Sequence, residues 1–377
     1  MLSFVLPDTF ADQQSLSPCE GLFSFALLAG RGGVPPAAQF AGRERMKRSI
    51  VFLIILCLLS AVLLAGCSLK SKPLQESAAA GYTVTDSQGN RTVFAERPQR
   101  ILTLSMSTDE IVLGLVEPER MAAVNVMLDD PVSSNVTALA RRVPARIRNP
   151  SAEEIAALSP DLVILPDWGD VSQAQSLRAL GLPVVVCKGA KSLADIRETI
   201  EMIAAAVGEP ERGADLLQQM DEKLDDIAAQ VGQIPEAQRP SVVLISLMNT
   251  YGGIGCTFDE ACRLAGVRNG MAEAGIRYGQ TMSKEQLVKI DPDILFLPTY
   301  NDHGNYDVES FRNQYLKDPS LASLKAIRNR RLEEPFEGYL YNCSQDFVFG
   351  VQEIAYRVYG AAFAQGTQEH LTAVPQQ

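Results

Sequence analysis

SAEEIAALSPDLVILP, residues 151–166, and SKEQLVKIDPDILFLP, residues 283–298, say nearly the same thing twice in one chain. Each reads as a helix start, a short helix, a Pro-Asp turn and a wholly apolar strand. A Glu stands third in both copies, at Glu153 and Glu285. A supersecondary unit that occurs once in each half of a chain implies two similar lobes. Strands alternating with helices around both copies imply parallel sheets with right-handed crossovers.

Outward from the first copy, Tyr82 to Phe94 alternates around a Gly89-Asn90 turn and reads as a hairpin. Residues 100–105 read as a buried strand, with Ser107 and Glu110 as the capping box of the next helix. A helix around Gln173 to Leu180 and a strand from Leu182 to Cys187 continue the alternation. From Ser192 to Val231 the pattern is nearly all helix, broken at Gly208-Glu209-Pro210. Its second part sets Leu217, Met220, Leu224, Ile227 and Val231 on one stripe, a stiff connector between lobes. The second lobe restarts with the strand from Ser241, a Gly-rich loop at 251–255 and a helix from Phe258 to Ala265. A last helix, Gln345 to Tyr359, turns Phe347, Val351, Ile354 and Val358 to the core.

The start of the chain reads differently. Met46-Lys47-Arg48, an apolar run from Ile50 to Leu64, and Ala65-Gly66-Cys67 have the charge, length and small residues of an export signal. A plain membrane anchor is the alternative, although the run is marginal for spanning a bilayer. The expected division is therefore as follows. Residues 1–45 are not translated or not part of the mature protein, 46–66 are a signal peptide and 67–81 a flexible tether. An N-terminal lobe covers 82–212, a bridging helix 213–234, a C-terminal lobe 235–367 and a tail 368–377.

The chain has 377 residues, 46% apolar and 21% charged, with a net charge of -11. That balance, without a basic run, excludes nucleic acid as the expected partner. Of seven cysteines, Cys187, Cys256, Cys262 and Cys343 lie beyond Cys67. Cys187 reads as core, and a Cys256–Cys262 or Cys262–Cys343 bridge stays open. No Cys/His cluster suggests zinc, and His303 and His370 are the only histidines. No intrinsic metal is expected. Tyr251-Gly252-Gly253-Ile254-Gly255 lacks the spacing of a phosphate loop, and no nucleophile–base pair stands out, so no enzyme is expected.

The two glutamates are separable from the helix caps beside them. Ser151 with Glu154, and Ser283 with Gln286, complete reciprocal capping boxes. Glu153 and Glu285 are not needed for those caps. Each alone could be a dipole-favourable acid contributing a few tenths of a kcal/mol, about 0.3. As a matched pair they read as a two-point docking device for arginines.

At these residues the chain resembles the ABC-importer substrate-binding lipoproteins of the iron-siderophore, haem and vitamin B12 class. The resemblance covers residues 81–362. It is carried by Thr85-Asp86-Ser87-Gln88-Gly89-Asn90 with Pro98 to Ser105, by Glu110, and by the repeated Glu-x-Ile-x-x-Leu-x-Pro-Asp-Leu unit. Thr257-Phe258-Asp259-Glu260, Ala265-Gly266, Asn269 and Leu324 to Asn329 complete it. The resemblance implies an α/β fold of two Rossmann-like lobes with central parallel sheets, one long bridging helix, and a ligand cleft between the lobes. It implies that Glu153 and Glu285 engage arginines of an ABC permease that works with a cytoplasmic ATPase. Leu64 to Cys67 resembles a lipobox, which implies an acylated Cys67 holding a monomer outside the cytoplasm on the bacterial cell membrane. At about 0.8 kcal/mol per buried methylene, several acyl chains hold firmly.

Ligands of open α/β sheets bind beyond the carboxyl ends of the strands. The loops there supply the expected contacts Ser105, Met106, Trp168, Asn249, Tyr251, Tyr300, Asn301 and Tyr339, with Tyr306, Tyr341 and His303 as further candidates. Trp168 is the only tryptophan. Arg277 and Arg312 could meet an anionic cargo. A ferric siderophore leads among cargoes, with cobalamin and haem as alternatives. A non-transport surface lipoprotein, or a metallocluster enzyme of related fold, is the reading from a different class.

Overall fold

The computed structural model describes residues 81–168, 171–301 and 305–375. The first strands, β1 (Tyr82–Thr85) and β2 (Arg91–Phe94), form the expected antiparallel hairpin. The Asp86 carboxylate closes its turn by accepting from the Gln88 and Asn90 backbone N–H groups. Five parallel strands follow: β3 (Ile101–Thr103), β4 (Met121–Asn125), β5 (Arg146–Ile147), β6 (Leu162–Pro166) and β7 (Val184–Cys187). Their order is β5-β4-β3-β6-β7. The second sheet comprises β8 (Ser241–Leu244), β9 (Arg268–Asn269), β10 (Ile294–Phe296) and β11 (Leu332–Glu333), in the order β11-β10-β8-β9 and again parallel. Among the described residues no helix is long and apolar enough to cross a membrane.

The repeated unit explains why both sheets form. Ile155 and Leu287 hold the same place in the two copies and are buried, each in the outer core of its own sheet. Ser159 and Asp291, also matched, both take positive φ, near 50° and 46°, which ends each short helix sharply. The Asp of each Pro-Asp pair then ties down a neighbouring strand. Asp161 accepts from the backbone of Gln99 and Arg100, and Asp293 accepts from the Ser241 backbone and hydroxyl. The apolar run after each turn is buried throughout, as a strand covered on both faces must be.

The connecting helix runs Pro210–Val231, three residues earlier than the 213–234 reading. Pro210 suits the first helical turn, where its missing N–H costs nothing. Glu209, just before it, draws in Arg120 at 2.8 Å and Arg97 at 3.2 Å, which pins the helix start to the first lobe. Leu216, Met220, Ile227 and Val231 carry its buried face, with Leu217 and Leu224 half-buried beside them. One continuous core runs from the first lobe through this helix into the second.

The lobes also meet along a polar seam. Asn342 Nδ2 donates to Glu110 Oε2 at 2.8 Å, and Asn135 Nδ2 donates to Asp346 Oδ2 at 2.7 Å. Gln345 Nε2 donates to the Glu110 carbonyl at 2.9 Å. The stretch read as a tail is a strap through its described part. Gln368 reaches the Ser134 carbonyl, His370 Nδ1 lies 2.6 Å from Asp346 Oδ2, and Leu371 N donates to Asp346 Oδ1. Ala373 N then donates to the Gly114 carbonyl, and Gln219 on the connecting helix donates to the Thr372 carbonyl. A Cβ at Gly114 would lie 2.6 Å from Gln345 Nε2 and 3.0 Å from the Leu371 carbonyl, so the approach needs glycine.

Candidate functional site

A cavity of about 280 Å³ opens at the carboxyl ends of the strands, lined from both lobes. The first lobe contributes Ser105 after β3, Pro166 and Trp168 after β6, and Cys187 to Lys191 after β7. The second contributes Met248 and Tyr251 after β8, with Cys256, Thr257, Tyr278, Tyr341 and Cys343. Large apolar side chains stand open to solvent here: Trp168 is 69% exposed, Met248 51% and Tyr278 50%. Exposed aromatics gathered on one concavity mark a surface that a ligand covers.

Trp168 is held in place. Asp167 Oδ1 accepts from the Gly189 backbone N–H at 2.8 Å, tying the β6 and β7 loops together. A Cβ at Gly189 would come 2.2 Å from the indole Cδ1, so the ring lies directly on bare backbone. Its position is set while much of its surface stays free. Beside it, Lys188 is occupied by Asp195 at 2.6 Å and Glu198 at 3.4 Å. The Lys191 ammonium sits 5.9 Å from the centroid of the Tyr278 ring across the cavity.

Deeper in, the hydroxyls serve the protein itself. Tyr251 shares a hydrogen bond with Thr257 at 2.8 Å, and Tyr341 donates to Ser246 at 2.9 Å. Burial pushes both phenols well above their ordinary range. Burial also raises the thiols, Cys343 to about 11 and Cys187 to about 12. Cys187, Cys256, Cys262 and Cys343 are all free, so neither bridge left open by the sequence is made. Among the described residues no cluster of three or more His, Cys, Asp or Glu could hold a metal.

The structure sorts the expected contacts. Ser105, Trp168 and Tyr251 line the cavity. Ser105 is also the N-cap of the helix Met106–Leu115, accepting from Thr108 N, so the capping residue is Ser105 and not Ser107. Asn249 is exposed on the β8 loop outside the lining. Met106 packs against the main core instead of the cavity. Tyr339 needs the same correction: it is 1% exposed, its ring packs on Phe336 and Phe349, and its hydroxyl donates to the Gly366 carbonyl. The strap takes the hydroxyl that a ligand would need.

Tyr300 and Asn301 are not among the residues that line the cavity. The Tyr300 hydroxyl reaches Met127 Sδ of the first lobe at 3.3 Å, and the Asn301 carbonyl accepts from Tyr306 N. Arg312 pairs with Glu334, and His303 falls outside the described residues, as does Cys67. Sequence reading passed over Lys188, Gly189, Lys191 and Tyr278. The strand-end rule reaches the first three, because they follow β7 directly, whereas Tyr278 follows an isolated bridge between Ile254 and Arg277 that no sequence pattern marks.

Glu153 and Glu285 are both exposed, and both neighbouring capping boxes are formed. Glu153 borders a second groove, about 560 Å³, which runs over the first lobe to Trp168. The Ser283 hydroxyl beside Glu285 holds its carboxyl below the usual range, so it is ionised at neutral pH.

The model of a family described as periplasmic binding protein matches residues 101–334. In Bacillus subtilis (strain 168), an uncharacterized ABC transporter substrate-binding lipoprotein, YvrC, is 23% identical over 82% of this chain and 96% of its own. The Fe(3+)-citrate-binding protein YfmC of the same organism is 23% identical over 79% of this chain and 90% of its own. Among solved structures, the apo periplasmic heme-binding protein RhuT from Roseiflexus sp. RS-1 is 25% identical, with a TM-score of 0.59. That likeness covers 69% of this chain and 98% of RhuT.

Proposed function

The chain belongs to the periplasmic binding protein family, and on that premise we propose that it captures a metal chelate for an ABC importer. The cargo is a ferric siderophore, taken up in the cleft between the lobes and passed to a membrane permease driven by a cytoplasmic ATPase. Binding without turnover agrees with the fold and with the relatives, which are binding proteins. The observation that carries the reading is the convergence of Trp168, Met248 and Tyr278, all widely exposed, on one cavity lined from both lobes. Haem is the second reading, favoured by the likeness to a heme-binding protein.

Acylation of Cys67 is proposed to hold the protein on the outer face of the cell membrane. Glu153 and Glu285 are proposed to receive permease arginines. Their carboxylates are exposed and occupy matched positions, and the reciprocal capping bonds beside them are completed by Glu154 and Gln286 instead. Bidentate pairing would give each contact a defined geometry. Changing both to Ala should reduce uptake of labelled ferric siderophore by cells at least about tenfold. Affinity of the purified protein for the same chelate should stay unchanged. Normal uptake in the double variant would refute the docking role.

A further inference from the structure

Charge in the cavity is at odds with charge in the chain. The protein carries a net charge of -11, yet among the described residues the charged side chains lining the cavity are Lys188 and Lys191, with no carboxylate. Lys188 is neutralised by Asp195 and Glu198. Lys191 has no ion pair among the described residues; its ammonium faces the Tyr278 ring instead. Carboxylates do approach from the groove on its far side, but each is engaged. Asp259 accepts from Asn269, Glu260 accepts from Leu193 N and pairs with Arg263, and Glu273 pairs with Arg268. The Lys191 backbone N–H donates to Asp195 Oδ2 at 3.1 Å, which fixes the loop that presents the side chain. The result, among the described residues, is one cation without a counter-anion, at the mouth of an aromatic cavity, in a protein of net negative charge.

The same cavity is poor in atoms that could bind a metal directly. The Tyr251 and Tyr341 hydroxyls are tied to Thr257 and Ser246. Cys256 donates to the Gly253 carbonyl. Burial favours the neutral form of all three. What the lining offers instead is flat apolar surface, from Trp168 and Tyr278, and one positive charge between the lobes.

We infer that the cleft selects an anionic, coordinatively saturated metal chelate by its organic outer face, with Lys191 as the residue that sets the charge preference. This rests on the capture reading above and narrows it. The chelate's ring or backbone lies on Trp168 and Tyr278, and its negative charge takes the place of the Tyr278 ring as the partner of the Lys191 ammonium. Because Lys191 and Tyr278 belong to different lobes, a bound anion between them also holds the lobes together at the mouth.

Calorimetry with the whole protein tests this, using two saturated ferric complexes as probes, an anionic tris-catecholate and a neutral tris-hydroxamate. The anionic complex should bind about tenfold or more tightly, and its advantage should shrink with added salt. Lys191→Ala should collapse the ratio between the two complexes, and Lys191→Arg should preserve it. Equal binding of the two complexes, or a ratio that survives Lys191→Ala, overturns the charge inference and leaves chelate capture standing. No binding of either complex overturns both.

Discussion

The two lobes meet at a seam and at a cleft, and the two are built from opposite materials. At the seam the side chains are polar and buried, and they bond across from lobe to lobe: Glu110 to Asn342, Asn135 to Asp346, and the strap to both. At the cleft the prominent side chains are aromatic or apolar and open to solvent. A buried polar group is costly unless it is bonded, so the seam tolerates one arrangement of the lobes and penalises others. An exposed apolar face is the reverse, stable enough alone and better covered. The seam sets where the lobes stand, and the cleft is what that placement leaves open.

Substitutions on the two sides should therefore fail in different measurements. The largest effect is expected at Asp346, whose carboxylate serves Asn135, His370 and the Leu371 backbone at once. Asp346→Ala should lower unfolding stability by about 3–5 kcal/mol, since it strands several buried partners. Denaturant titration reads this; a loss under about 1 kcal/mol would mean that the seam does not hold the lobes.

Asp109 gives the seam's neighbourhood a pH signature. Burial raises its pKa to about 8, against hydrogen bonds from Thr103 and from Asn125 N, which lower it. A folded-state pKa above the unfolded value of about 3.9 means the protonated acid is favoured by folding. Its contribution is complete below about pH 4 and is lost as pH rises toward 8, at no more than about 1.4 kcal/mol per pH unit. Asp109→Asn should flatten that decline. An unchanged pH profile in the variant would place the titration elsewhere.

On the cleft side, Trp168→Ala should weaken chelate binding about tenfold, the size of one lost stacking surface. Its indole is largely exposed, so stability should move by less than about 0.5 kcal/mol. A variant that unfolds readily but binds normally would reverse the roles given to seam and cleft.

The parts of this fold that follow from sequence are those with local causes. The capping boxes at Ser151 and Ser283, the Pro-Asp turns and the buried strands after them all depend on residues within one turn or one run. Ser105 shows how small the margin is. Two serines stand two positions apart, each could cap a helix, and the strand before them decides which one does. The paired glutamates were separable from their caps for the same local reason.

Two tyrosines mark where local reasoning stops. Tyr339 and Tyr278 both lie outside the strands, and no nearby residue separates a buried ring from an open one. Tyr339 is sealed by a strap some 30 residues further along, and Tyr278 is set opposite Lys191 of the other lobe. The duplicated phrase at 151–166 and 283–298 was enough by itself to determine two parallel sheets and a matched pair of outward carboxylates. Which aromatics face the cleft, and which cation meets them, was settled only when the connecting helix and the seam brought the lobes together. Periodicity and caps act over a few residues, whereas the burial of a side chain depends on whatever distant segment comes to lie against it.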